Sequence, residues 1–252
     1  MSRWVCAALA AAWLVGAREV AAQHPHGNPA DWPDPHPAES FGLLVFDQLE
    51  HTARAGDDAL TWDVEGWLGG DSERWLLKSE GERSSAGRSE GEAELQLLWS
   101  RSLTSFWDLQ LGLRQDVLFG RGADQERTSL VLGLEGLAPQ WIHVEPALFV
   151  SDEGDTSVRV EATHELFVTQ RWVAQSRVEL EGAFSNASEF GVRSGLGRVE
   201  LGLRLRYEAR RELAPYFGVT WTHALGHSAD LARRLGDDTH ELAIATGVRF
   251  WF

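Results

Sequence analysis

The chain of 252 residues contains one cysteine, Cys6, and one methionine, Met1. Both fall in an amino-terminal stretch that reads as a leader. Arg3 supplies a positive start, Trp4 to Val15 form a short alanine-rich apolar core, and Val20, Ala21 and Ala22 precede Gln23 as a small-residue cleavage site. Removal of residues 1–22 as a signal peptide predicts a mature chain beginning near Gln23. No thiol then remains for an internal disulfide or a thiolate metal site, and no thioether remains at all.

Basic residues are also scarce. Beyond residue 22 there are 37 Asp and Glu against 21 Lys and Arg. Phosphate binding needs a basic footprint, so nucleic acid is excluded as a partner, and an acidic exported chain is better suited to cations. Long apolar runs are missing as well. The leader core is too short to cross ~30 Å of hydrocarbon, and nothing after it approaches the ~20 residues a membrane helix needs. If such a chain enters a bilayer it must do so as a closed barrel, the other arrangement that satisfies every backbone amide in lipid.

Proline is concentrated where regular structure is not expected. Pro25, Pro29, Pro33, Pro35 and Pro37 lie among His24, His26, His36 and several acids. This density forbids a helix or a central strand. Residues 23–40 are predicted to be a disordered, extended periplasmic tail, and the composition changes abruptly at Phe41.

From there the pattern has a period of two, which places residues i, i+2 and i+4 on one side of a strand. At the carboxy-terminus Leu242, Ile244, Val248, Phe250 and Phe252 share one face, and Glu241 and Arg249 lie on the other. Ala93, Leu95, Leu97 and Trp99 oppose Glu92, Glu94 and Gln96. Val199, Leu201, Leu203, Leu205 and Tyr207 oppose Arg198, Glu200, Arg204, Arg206 and Glu208. Strands are predicted at 41–51, 60–68, 73–82, 90–101, 105–117, 126–136, 141–150, 157–168, 171–184, 196–209, 214–224 and 240–252.

The connections alternate between long polar stretches, such as 185–194 and 225–239, and tight links, such as 69–72, 102–104 and 137–140. Long outer loops and short periplasmic turns are expected of outer-membrane barrels, which turn apolar side chains to lipid and polar ones to the lumen. Trp67, Trp75, Trp141, Trp172 and Trp251 lie near strand ends, where indoles can sit at the headgroup boundary. The prediction is an all-β, transmembrane, antiparallel up-and-down barrel of twelve strands over 41–252, with both chain ends on the periplasmic side.

The segments TWDVEGWLGGDSERWLLKSEGE from Thr61, QLLWSR from Gln96, FWDLQLGLRQD from Phe106, GLEGLAPQW from Gly133, GLRLRYEARRELAPYFGV from Gly202 and the terminal GVRFWF carry a family resemblance. The chain resembles the bacterial copper resistance protein B family over nearly all of 41–252. The resemblance implies an outer-membrane barrel serving copper tolerance, with copper-binding sequences ahead of the barrel. The implied partners are copper ions, outer-membrane lipid and periplasmic copper-handling proteins. Members often carry methionine- and histidine-rich tails, whereas here the tail offers His24, His26 and His36 with Asp31, Asp34 and Glu39. Imidazole and carboxylate ligands suit Cu(II) better than Cu(I).

Two readings stay open at most positions. His24 and His26 form a chelate beside the new terminus, or are polar members of a spacer; His36 alone is the weaker ligand. His143 and Glu145 share an inward face, as a lumenal metal site or as part of a charge network. His51, His164, His223, His227 and His240 lie at strand ends, in loops or on ambiguous faces. The lumenal acids either draw cations through a passage or pair with Arg114, Arg159, Arg177, Arg204 and Arg206 to stiffen a closed interior. A general cation channel and a purely structural barrel are the rival functions. No enzyme activity is expected. The same-strand neighbours of His164 are Ala162 and Leu166, and those of His223 are Trp221 and Leu225, so neither supplies a serine nucleophile and only a cross-strand partner is left open. Gly120 to Gly122 lack the spacing and following helix of a phosphate cradle.

Overall fold

The structure is a computed structural model that describes residues 40–54, 58–85, 90–120, 125–184, 195–235 and 238–252. The expected leader and His24, His26 and His36 lie outside the described residues. The strands are β1 (Phe41–Ala53), β2 (Ala59–Gly69), β3 (Glu73–Ser84), β4 (Gly91–Ser102), β5 (Trp107–Phe119), β6 (Gln125–Ala138), β7 (Ile142–Ser151), β8 (Thr156–Phe167), β9 (Trp172–Ala183), β10 (Gly195–Tyr207), β11 (Leu213–Ala224) and β12 (His240–Trp251). Each begins and ends within two residues of its expected bounds. Every neighbour in sequence is an antiparallel neighbour in space, and β1 pairs with β12 to close the barrel. Closure removes the exposed edges that an open sheet would present.

The side-chain distribution is inverted relative to a soluble protein. Leu97, Leu113, Leu130, Leu132, Leu203, Leu242 and Ile244 are exposed on the outer wall, whereas Glu50, Lys78, Glu94, Asp116, Glu179, Arg204 and Arg206 are buried inside. That is the arrangement of a barrel wall facing lipid. In β1 the alternation is interrupted, because the register shifts between Phe46 and Gln48. This bulge inserts one residue and changes the inward parity, so that Gln48, Glu50 and Thr52 are buried beyond it.

The five rim tryptophans do not all face outward. Trp75, Trp141 and Trp172 are exposed on the rim that carries the short turns. Trp67 instead has the inward parity of Asp63 and Glu65. It packs against a buried apolar cluster of Leu76, Leu98, Val131 and Phe149 and lies 5.9 Å from the Arg74 guanidinium. Trp251 has the inward parity of Ala243 and Ala245, and its Nε1 donates to the Arg211 carbonyl at 2.8 Å. Both indoles therefore belong to the interior side of the wall rather than to a lipid-facing belt.

The connection 225–239 contains a helix, α1 (Gly226–Leu235), that the polar composition did not announce. Gly226 has φ +52, a left-handed conformation that suits glycine, and it turns the chain from β11 into α1. Ala229 is buried, and Ser228 reaches the edge of a lumenal cavity of about 590 Å³. This cavity lies toward the long-loop end of the barrel, bounded by Thr52, Glu82, Glu92, Arg198 and Thr222, with Arg177 and Phe149 deeper in.

Candidate metal site in the barrel lumen

The lumen is built from rows of like charge. Asp63 pairs with Glu80, Glu80 with Glu94 and Glu94 with Asp116 across successive strands. A second row runs Glu145, Glu161, Glu179 and Glu200. Like charges directly opposite one another destabilise a sheet, so these rows persist only if cations compensate them. Arg177 does so with Nη2 2.7 Å from Glu161 and 3.1 Å from Glu179, and with Nη1 3.2 Å from Asp63. Arg159 contacts Glu94 at 2.9 Å and Glu181 at 3.1 Å. Arg114 bonds Glu94 at 2.8 Å and Asp116 at 2.7 Å, and its guanidinium lies 4.5 Å from the Phe149 ring. Among the expected lumenal arginines, Arg204 pairs with Glu50 and Arg206 with Glu165, both at 2.9 Å.

Near the short-turn end the compensation differs. The pairs Gly133 with Ala147 and Gly136 with Val144 set Glu135 of β6 opposite Glu145 of β7. His143 is diagonal to Glu135, on the same inward face as Glu145. Its Nε2 is 3.2 Å from Glu135 Oε1 and its Nδ1 is 3.4 Å from Glu145 Oε1. One ligand atom from each of Glu135, His143 and Glu145 falls within 4.8 Å of the others. Gln110 Nε2 donates to Glu135 Oε2 at 2.5 Å, and Lys78 Nζ donates to Glu145 Oε2 at 2.5 Å. None of these residues borders the long-loop cavity, whose lining includes Phe149, Arg159 and Arg177.

Two carboxylates and an imidazole form an oxygen and nitrogen donor set suited to a divalent transition metal. The imidazole is 41 % exposed, while the glutamates are 16 % and 25 % exposed, so the ring is the accessible member. If a metal takes one ring nitrogen, the carboxylate on the other nitrogen fixes the tautomer and the ring plane. Thus the structure brings His143 and Glu145 together as their shared parity implied, and adds Glu135 and Lys78, which the strand-by-strand reading missed. The missing signal was the tight link at 137–140. Residues 135 and 145 are equidistant from Gln140, so an antiparallel hairpin sets them opposite.

Among the described side chains, His51, His164, His223 and His240 are not gathered into this set. His51 contacts Asp58 at 3.5 Å, and His223 faces His240 across β11 and β12 with ring centroids 6.4 Å apart. Ser176 lies directly opposite His164, and its hydroxyl donates to the His164 main-chain carbonyl at 3.4 Å.

The family model described as Copper resistance protein B precursor (CopB) matches residues 40–252. The Copper resistance protein B homolog of Pseudomonas syringae pv. tomato is 42% identical over 217 residues, covering 86% of this chain and 72% of the relative. Copper resistance protein B of Escherichia coli is 40% identical over 210 residues, covering 83% and 69%. Among solved structures, the NanC porin shares the fold at a TM-score of 0.55 and 13% identity, covering 82% of this chain and 98% of the porin. The KdgM porin does so at 0.51 and 9% identity, covering 83% and 99%.

Proposed function

The chain belongs to the copper resistance protein B family, and from that premise we propose that it binds copper ions at the outer membrane and controls their passage through its barrel. The observation that carries this reading is the convergence of Glu135, His143 and Glu145 in an acidic lumen. The donor types favour Cu(II) at this position. The tail residues His24, His26 and His36 serve as a second, periplasmic binding segment ahead of the barrel. Copper is the cargo, acyl chains surround the leucine-rich wall, and periplasmic copper-handling proteins exchange copper with the tail. The chain acts by binding rather than by catalysing a reaction.

A general cation channel is the second reading, favoured by the carboxylate rows that line the lumen. Copper titration of the folded, detergent-solubilised protein separates the two. The full chain is expected to bind copper. Alanine at His24, His26 and His36 should remove one class of site, and His143→Ala the other. Binding no stronger than background in the unaltered chain would retire the copper reading and leave the channel.

A further inference from the structure

We propose that the Lys78 ammonium is a tethered cation that partly offsets the charge of the Glu135, His143 and Glu145 set in the metal-free protein and swings aside when a divalent cation enters. The inference rests on the reading of that set as a copper site and specifies how the site exchanges its cation.

Lys78 is the only lysine of the chain; the other 22 Lys and Arg residues are all arginine. The difference is chemical. Arginine presents a planar fork that fixes carboxylates in pairs, as Arg159, Arg177 and Arg204 do here, whereas an ammonium is a compact point charge with rotatable donors on a flexible stem. Among side chains it is the closest stand-in for a hydrated metal ion. Among the described residues, it stands at the one place where two carboxylates and an imidazole converge.

The charges and the geometry both leave room for exchange. Lys78 contacts Glu145 Oε2 at 2.5 Å and Glu65 Oε2 at 3.6 Å. Glu65 and Glu145 therefore share one ammonium, and with Glu135 and a neutral imidazole counted in, two negative charges remain, which is the charge of a divalent ion. Glu65 is the residue directly opposite Lys78 across β2 and β3, while Glu145 stands on β7. The ammonium that releases Glu145 thus meets a carboxylate on its own side of the lumen. It stays paired throughout, which a buried charge requires. Glu145 Oε2 becomes available to the incoming ion, and the repulsion between ammonium and metal falls as they separate.

The test uses the full chain with His24, His26 and His36 changed to alanine, titrated with Cu(II) against a chromophoric competitor. In that background Lys78→Leu is expected to tighten binding by about tenfold, because a like charge near the ion has been removed. Lys78→Arg, which keeps the charge but fixes it in a fork, is expected to bind no more tightly than the background. Binding that depends on His143 yet is unchanged or weakened in Lys78→Leu overturns the exchange proposal and leaves the copper site standing. Binding absent from both the background and Lys78→Leu overturns the site itself. The single lysine gives a check on the unaltered residue: with 13C at lysine Cε, its resonance should shift in step with Zn(II) binding. Binding without such a shift overturns the proposal even if Lys78→Leu fails to fold.

Discussion

Glu50 and Arg204 are 154 residues apart in sequence and meet inside the barrel. Arg204 Nη2 is 2.9 Å from Glu50 Oε1, its Nε is 3.1 Å from Oε2, and the Tyr216 hydroxyl donates to the same Oε2 at 2.9 Å. The two residues stand on β1 and β10, with β11 and β12 between them. The wall beneath this bridge is hollowed by Gly247: a Cβ there would lie 2.6 Å from the Tyr216 hydroxyl and 2.7 Å from Glu50 Cβ.

Breaking a buried pair leaves an uncompensated charge, so Glu50→Ala is expected to lower barrel stability by about 3 to 5 kcal/mol. Gly247→Val should destabilise through overpacking by about 1 to 3 kcal/mol. Urea unfolding in lipid vesicles, followed by tryptophan fluorescence, measures both. A Glu50→Ala variant as stable as the parent would show that the bridge is not a structural tie.

The lipid-facing wall makes a depth-dependent expectation. Leu132 is an exposed outward residue in the middle of β6, and Leu213 is an exposed outward residue at the short-turn end of β11. Arginine at Leu132 should cost about 2 to 4 kcal/mol, and at Leu213 about 0 to 1 kcal/mol. Equal costs in the same vesicle assay would contradict the assignment of this wall to lipid.

The strands were legible because a two-residue period survives without knowledge of any partner: the outward leucines of β4, β6 and β12 identify themselves. Register was legible only near tight turns. The Leu137 to Gln140 link places Glu135 opposite Glu145, whereas the approach of Lys78 to Glu145 spans 67 residues and several strands, and depends on barrel closure. Trp67 and Trp251 lie at strand ends as read, and their inward parity was legible too, since Trp67 shares the face of Asp63 and Glu65 and Trp251 that of Glu241 and Arg249. α1 escaped notice because its ten residues are polar on average and sit inside a polar connection, so the segment reads as loop although the helix is amphipathic.

Arg159 and Arg177 offer the sharpest test of whether the lumen conducts. They stand on β8 and β9, yet they reach Glu94, Glu80 and Asp63 on the opposite side of the barrel, so their side chains cross the passage. Their guanidinium groups both fill the bore and cancel the carboxylate rows. Replacing both with alanine removes volume and two positive charges together. The remaining acids should then draw cations and repel anions more strongly. In planar bilayers the double variant is expected to show a conductance several-fold above the parent, with the reversal potential in a salt gradient displaced toward the cation value. Conductance that does not change would mean that the passage is closed elsewhere, with the Leu76, Leu98, Val131 and Phe149 cluster the next barrier to remove, whereas anion selectivity would overturn the reading that the carboxylate rows govern permeation.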